Sequence, residues 1–80
     1  MITVKEMRTA VSRNLRKLLS ESGETQLAIA KGIGINHKLL NSYLKGEITP
    51  NTYTTCKICD YFGVSADWLL GMSDHRSGQR

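Results

Sequence analysis

The residues best suited to chemistry lie in segment 37–45, which carries two sets of side chains at helical spacing. One set is apolar and fits the buried side of a helix: Leu40, Tyr43 and Leu44. The other set projects from the opposite side and donates hydrogen bonds: Lys38, Asn41, Ser42 and Lys45. Lys38 can donate to O6 and N7 of guanine, Asn41 can pair with an adenine edge, and Ser42 can contact several bases. The pattern therefore predicts a base-reading surface, with His37 at the helix start as a further donor.

Two cysteines, Cys56 and Cys59, form a CxxC pair, a spacing that also occurs in zinc and redox sites. A zinc site needs four ligands, and the other candidates are the two histidines, which lie far apart in the sequence. The cysteines share a helical phase with Tyr53 and Phe62, and free cysteine is among the most buried residue types. We therefore predict that Tyr53, Phe62 and both cysteines line the buried side of a helix, and that no metal is bound.

Catalytic patterns are missing from the sequence. No nucleophile, base and orienting group recur at a catalytic spacing, no glycine-rich phosphate loop is present, and the carboxylates are scattered. We therefore expect neither enzymatic activity nor a cofactor. A chain of 80 residues forms one domain and has too little core to enclose a large substrate pocket. The functional site is expected to be a surface.

The net charge of +4 favours polyanionic partners, since each phosphate neutralised by Lys or Arg releases a counterion. Near the N-terminus, cations share one side of a predicted helix: Lys5, Arg8, Arg13, Arg16 and Lys17. This side either faces solvent or flanks a phosphate backbone, and both interpretations remain open. No segment approaches the roughly 18 apolar residues of a membrane span, and no signal-peptide pattern is present. We expect a cytoplasmic protein without a membrane partner.

Capping signals divide the chain into five predicted helices. Helix starts are marked by residues that cap free N–H groups: Thr3 in a capping box with Glu6, Thr25, Asn36 and Ser65. Helix ends are marked by glycines: Gly23, Gly34, Gly46, Gly63 and Gly71. The proline lies in a loop, 47–51, before the fourth helix. The prediction is an all-α, five-helix domain over residues 1–71, followed by a flexible polar tail, 72–80.

The second and third predicted helices are joined only by Gly34, Ile35 and Asn36, so they must cross at a steep angle. Ala30 is small enough to let the two helices approach closely. Two short helices joined by such a turn form the helix-turn-helix motif, whose second helix lies in the major groove of DNA. The arrangement predicts that segment 37–45 is a recognition helix.

From about Leu15 to Gly71 the chain resembles the lambdoid phage repressor and Cro type of helix-turn-helix protein. The matching residues are Thr25, Gln26, Ile29, Ala30, Gly34, Leu40, Tyr43, Gly46, Pro50 and the run FGVSADWLLG at 62–71. The resemblance implies a compact, lambda-repressor-like domain that binds double-stranded operator DNA as a homodimer. It also implies an approximately palindromic site and a role as a repressor-like transcription regulator.

The resemblance also assigns roles by position. Gln26 matches a glutamine that reaches the phosphate backbone and braces the first residue of the recognition helix. The residues predicted to contact the DNA backbone are Thr25, Gln26 and Lys45. The residues predicted to read bases are Asn36, His37, Lys38, Asn41 and Ser42.

The chain departs from the family pattern at two places. Many members pair a Glu with an Arg where this chain has Leu44 and Leu19, so a hydrophobic contact is expected to replace a buried ion pair. Gly32 lies inside the second helix, where it should cost about 1 kcal/mol relative to Ala. This glycine is either a weakness of the helix or a place where another backbone comes close.

Trp68 and Leu70 are candidate dimer contacts, because many family members pair through this region; burial of the Trp68 ring in the core is equally open. The alternative function is a protein-interaction module on the same fold, such as an antitoxin or phage regulator. A DNA binder needs the surface of Gln26, Lys38 and Ser42. An interaction module would tolerate charge reversal there and fail on changes at Trp68 or Leu70.

Overall fold

Residues 1–76 are described in this computed structural model, and they form five helices. These are α1 (Val4–Ser22), α2 (Gln26–Ile33), α3 (His37–Leu44), α4 (Thr52–Phe62) and α5 (Ala66–Leu69). Each helix begins after a residue whose side-chain oxygen accepts a hydrogen bond from an N–H of the first turn: Thr3, Thr25, Asn36, Asn51 and Ser65. Residues 1–76 contain no β-strand element, and the predicted all-α fold of five helices is confirmed.

The core draws on every helix. The largest fully buried side chains are Val11 and Leu15 from α1, Ile29 from α2, Leu40 from α3, Ile58 from α4 and Leu69 from α5. Burying one such side chain stabilises the fold by about 1.5–3 kcal/mol. The buried Asn14 is satisfied as well, because its Nδ2 donates to the carbonyl oxygen of Trp68 at 2.7 Å. The helix α3 therefore rests on a core to which α5 also contributes.

The buried side of α4 differs from the predicted one. Tyr53 and Cys56 are exposed, whereas Cys59 is buried and Phe62 is half-buried. The fully buried Ile58 sets the rotation of the helix: at about 100° per residue, Tyr53 and Cys56 lie about 140° and 160° away from it. The buried side consists of Thr54, Thr55, Ile58 and Cys59. The prediction of a buried stripe through Tyr53 and Cys56 was wrong, because it was based on the helical spacing of the cysteines and overlooked Ile58.

After α5, the structure describes the chain as far as Arg76. The backbone carbonyl of Arg76 accepts a hydrogen bond from the N–H of Ser65 at 2.7 Å, and its guanidinium forms an ion pair with Glu21 of α1. The remainder of the predicted flexible tail, residues 77–80, lies outside the described residues. Over residues 1–76, no helix combines the length and the apolar character needed to cross a membrane.

Candidate nucleic-acid interface

The turn between α2 and α3 is held from both sides. Gly34 has φ 89°, in the left-handed region that glycine adopts readily, and the N–H groups of Gly34 and Ile35 both donate to the carbonyl of Ala30 at 2.9 and 3.0 Å. Across the turn, Nζ of Lys57 donates to the carbonyl of Gly34 at 2.9 Å. These bonds fix the point at which α3 begins and thus its direction.

The helix α3 has a buried and an open side, as the pattern of residues predicts. Leu40, Tyr43 and Leu44 are at most 5% exposed. The polar residues reach solvent: His37, Lys38 and Lys45 are exposed, and Asn41 and Ser42 are half-buried. The structure therefore brings the donors of this segment together on one accessible surface. Their contacts with bases stay a prediction.

Two residues assigned to DNA contact also cap helices. The Oδ1 atom of Asn36 accepts from the N–H of Lys38 at 2.7 Å, and Oγ1 of Thr25 accepts from the N–H of Ala28 at 3.1 Å. Both keep donor hydrogens, on the Asn36 amide nitrogen and the Thr25 hydroxyl. Each can therefore still donate to an acceptor on DNA.

Gln26, half-buried at the start of α2, lies beside α3. It lines one groove with Asn41 and Leu44 of α3 and with Leu19 of α1. A predicted backbone contact and a predicted base-reading residue are thus neighbours on the surface. Leu19 and Leu44 line this same groove. Leu44 belongs to the apolar core and Leu19 packs against it, as expected where two apolar residues stand in place of an ion pair.

Sequence reasoning missed the contact that holds the end of α3 against α1. The carbonyl oxygen of Leu44 accepts hydrogen bonds from Oγ of Ser12 at 2.5 Å and from Nη2 of Arg16 at 2.7 Å. A cation at the C-terminal end of a helix stabilises its unpaired carbonyls and the negative end of its dipole. The only sequence signal was that Arg16 belongs to the basic side of α1.

The CxxC pair is not arranged as a site. Cys56 is exposed and Cys59 is buried, and no group of three or more His, Cys, Asp or Glu side chains suited to a metal occurs within residues 1–76. Burial raises the pKa of the Cys59 thiol to about 11, with a smaller contribution from the charge of Cys56. The Cys59 thiol therefore stays protonated at neutral pH and is a poor nucleophile.

The candidate dimer contacts lie in α5 and at its C-terminal end. Trp68 and Leu70 are both half-buried and pack against the core. The guanidinium of Arg76 lies over the Trp68 ring, 5.4 Å from its centroid. The Trp68 ring is thus neither fully in the core nor fully free, and its part in an interface stays a prediction.

Comparisons with known proteins agree with the helix-turn-helix fold. A family model described as a helix-turn-helix domain matches residues 12–72. Among curated proteins, the HTH-type transcriptional regulator ImmR of Bacillus subtilis (strain 168) is 28% identical over 65 residues, which cover 81% of this chain and 51% of that protein. The chain thus spans about half the length of the curated relative it matches. No solved structure matches the chain significantly.

Proposed function

The chain belongs to the helix-turn-helix domain family, and from this premise we propose that residues 1–71 bind double-stranded DNA sequence-specifically and regulate transcription. The observation that carries the proposal is the surface of α3. Lys38 is exposed, Asn41 and Ser42 border it, and the turn before them is fixed by three backbone-directed hydrogen bonds. A rigid helix with donors on its outer side suits the major groove, where each base pair presents a distinct pattern of donors and acceptors.

Backbone contacts flank this reading surface in the proposal. Gln26 and Thr25 lie at the start of α2, and Lys45 lies at the end of α3. Contacts of this kind position a protein on DNA without selecting sequence, and cationic ones make binding sensitive to salt. The net charge of +4 supports the same partner.

We propose further that the protein acts as a repressor-like regulator in the bacterial cytoplasm and binds an approximately palindromic operator as a homodimer. The relative ImmR is named as a transcriptional regulator, and the resemblance to phage repressors favours repression. Trp68 and Leu70 are the proposed dimer contacts. Two recognition helices related by a twofold axis would read half-sites about 10–10.5 base pairs apart.

The experiment is selection of bound sequences from a random duplex pool, followed by affinity measurements at several salt concentrations. We expect a recovered site with two inverted halves. If each protomer of a dimer neutralises about three phosphates, log K against log salt has a slope of roughly −5. No enriched sequence together with a slope near zero would contradict DNA binding.

Charge reversal separates DNA binding from the alternative, a protein-interaction module. Lys38→Glu should abolish enrichment of the selected site if α3 reads DNA. If Lys38→Glu leaves the regulatory activity of the protein unchanged while substitutions at Trp68 or Leu70 abolish that activity, the protein-interaction module is the correct description.

A further inference from the structure

An open groove between α1 and the end of α3 is rich in cationic side chains. It is lined by Thr9, Ser12, Arg13, Arg16, Lys17, Lys45 and Gly46, and we refer to these residues as the basic groove. Four of the seven are cations, all four are exposed, and none of the seven is a carboxylate. Such a surface attracts polyanions.

The basic groove has fixed walls. Ser12 and Arg16 of α1 both donate to the carbonyl oxygen of Leu44, directly before Lys45. Nε of Arg16 also donates to Oγ of Ser12 at 3.3 Å. The Nη1 group of Arg16 makes no hydrogen bond within residues 1–76 and remains available to a ligand. The cations therefore surround a preformed surface.

Within residues 1–76, no carboxylate forms an ion pair with the cations of the basic groove. The one ion pair within residues 1–76 joins Arg76 and Glu21, which lie outside the basic groove. Lys17 lies near enough to Glu21 to contribute to the lowered pKa of that carboxyl group, but it forms no ion pair with it. Like charges that share one groove repel each other, and bound phosphates would relieve that repulsion.

The basic groove is continuous with the proposed reading surface. Arg16 lines both the basic groove and the neighbouring groove that contains Gln26 and Asn41. Lys45 caps the end of α3, the helix whose exposed side carries Lys38 and Ser42. A DNA strand that follows α3 to its end would pass directly into the basic groove.

We propose that the basic groove binds the phosphate backbone of the operator next to the bases that α3 reads, with Arg13 and Lys17 as its main ligands beside Lys45. This inference rests on the proposed function, since it names the residues that supply most of the salt-dependent contacts. In this proposal the cations of α1 form a backbone-binding surface, which is the second of the two interpretations that the sequence left open.

The test uses the full chain and a duplex of about 30 base pairs that contains the site selected by the unmodified protein. In one variant, Arg13→Gln is combined with Lys17→Gln. Neither side chain makes a hydrogen bond within residues 1–76, so the fold should persist, as a thermal melt would verify. The control is Lys31→Glu, which changes the net charge equally at an exposed position about 140° around α2 from Gln26. A second control exchanges the two cations, Arg13→Lys with Lys17→Arg.

Each lost phosphate contact should reduce the slope of log K against log salt by about 0.9. For the dimer of the Arg13/Lys17 variant, this slope should therefore change from roughly −5 to roughly −2. Between 50 and 200 mM salt, the unmodified protein should then lose about 1,000-fold in affinity and the variant about 10-fold. The two controls should keep the steep slope. Preference for the site over a scrambled duplex should be unchanged in the variant, since phosphate contacts carry no sequence information.

Two different failures can be told apart. If the unmodified protein prefers its site but the Arg13/Lys17 variant keeps the slope of Lys31→Glu, the basic groove does not bind phosphates and only this inference is wrong. If the unmodified protein shows neither site preference nor a salt-dependent slope, the proposed function fails and the inference fails with it. An acidic protein segment as the ligand of the groove would give this second result.

Discussion

The ring of Tyr61, on α4, lies against Gly32, on α2, so closely that a Cβ at Gly32 would be 2.5 Å from Cε1 of Tyr61. The hydroxyl of Tyr61 also donates to Oε1 of Glu24 at 2.9 Å, just before α2 begins. The sequence left two explanations for Gly32, a weakness of the helix or a close approach of another backbone. The structure shows a close approach, but by a side chain. Gly32 therefore gives α4 a place to pack against the helix-turn-helix.

A double-mutant cycle tests this contact. In the unmodified protein, Gly32→Ala should bring little or no gain in the free energy of unfolding, because the exposed ring of Tyr61 must swing aside and give up its hydrogen bond to Glu24, which offsets the better helix propensity of Ala. In a Tyr61→Ala background, the same change should raise the free energy of unfolding by about 0.5–1 kcal/mol. Urea denaturation gives the four values. Equal effects of Gly32→Ala in both backgrounds would show that the ring does not lie there.

The apolar pair that replaces the family's ion pair makes a second prediction. Leu44 is only 5% exposed, so Leu44→Glu should bury a charged carboxylate and lower the free energy of unfolding by about 3 kcal/mol. Adding Leu19→Arg should recover part of this loss, since both residues line the same groove. Thermal melts of the single and double variants provide the comparison. Identical melting temperatures would exclude a direct interaction between the two positions.

The ion pair between Arg76 and Glu21 of α1 should weaken at low pH. The hydrogen bond from Arg76, with the positive charges of Arg76 and Lys17, lowers the pKa of Glu21 below its ordinary value of 4.5. The ion pair therefore contributes fully above pH 4.5 and is lost as the pH falls through the lowered pKa. Arg76 lies over the ring of Trp68, which is the only tryptophan in the sequence. The fluorescence of Trp68 should therefore change in this acidic range.

Glu24, three residues after Glu21, provides the control for the acid effect. Glu21→Gln should remove the fluorescence change below pH 4.5, whereas Glu24→Gln, which alters a carboxyl bonded to Tyr61 instead, should leave it in place. A titration of Trp68 emission that is identical in Glu21→Gln and the unmodified protein would mean that Arg76 does not hold the ring.

Local signals in the sequence predicted the helices well. The caps Thr3 and Asn36 and the left-handed glycine Gly34 act on neighbouring N–H and carbonyl groups, so a short segment contains all the information needed. The open side of α3 followed from its apolar spacing in the same way.

The features that were not predicted depend on contacts between distant residues. Arg16 reaches the carbonyl of Leu44, 28 positions away, and Tyr61 reaches Gly32 from another helix. On α4, the cysteine spacing suggested one buried side while packing around Ile58 selected another. These choices depend on how helices pack together, which periodicity within one helix does not specify.

The Lys38→Ala variant tests most directly whether α3 reads bases through its exposed side. The variant, Gln26→Ala and the unmodified protein should be measured at fixed salt against every single-base change in the selected operator. Lys38→Ala should cost about 1–3 kcal/mol and relax the preference at one base pair in each half-site, whereas Gln26→Ala should weaken all duplexes evenly. If Lys38→Ala instead lowers affinity uniformly and leaves every base preference intact, Lys38 contacts phosphate and the account of the reading surface is wrong.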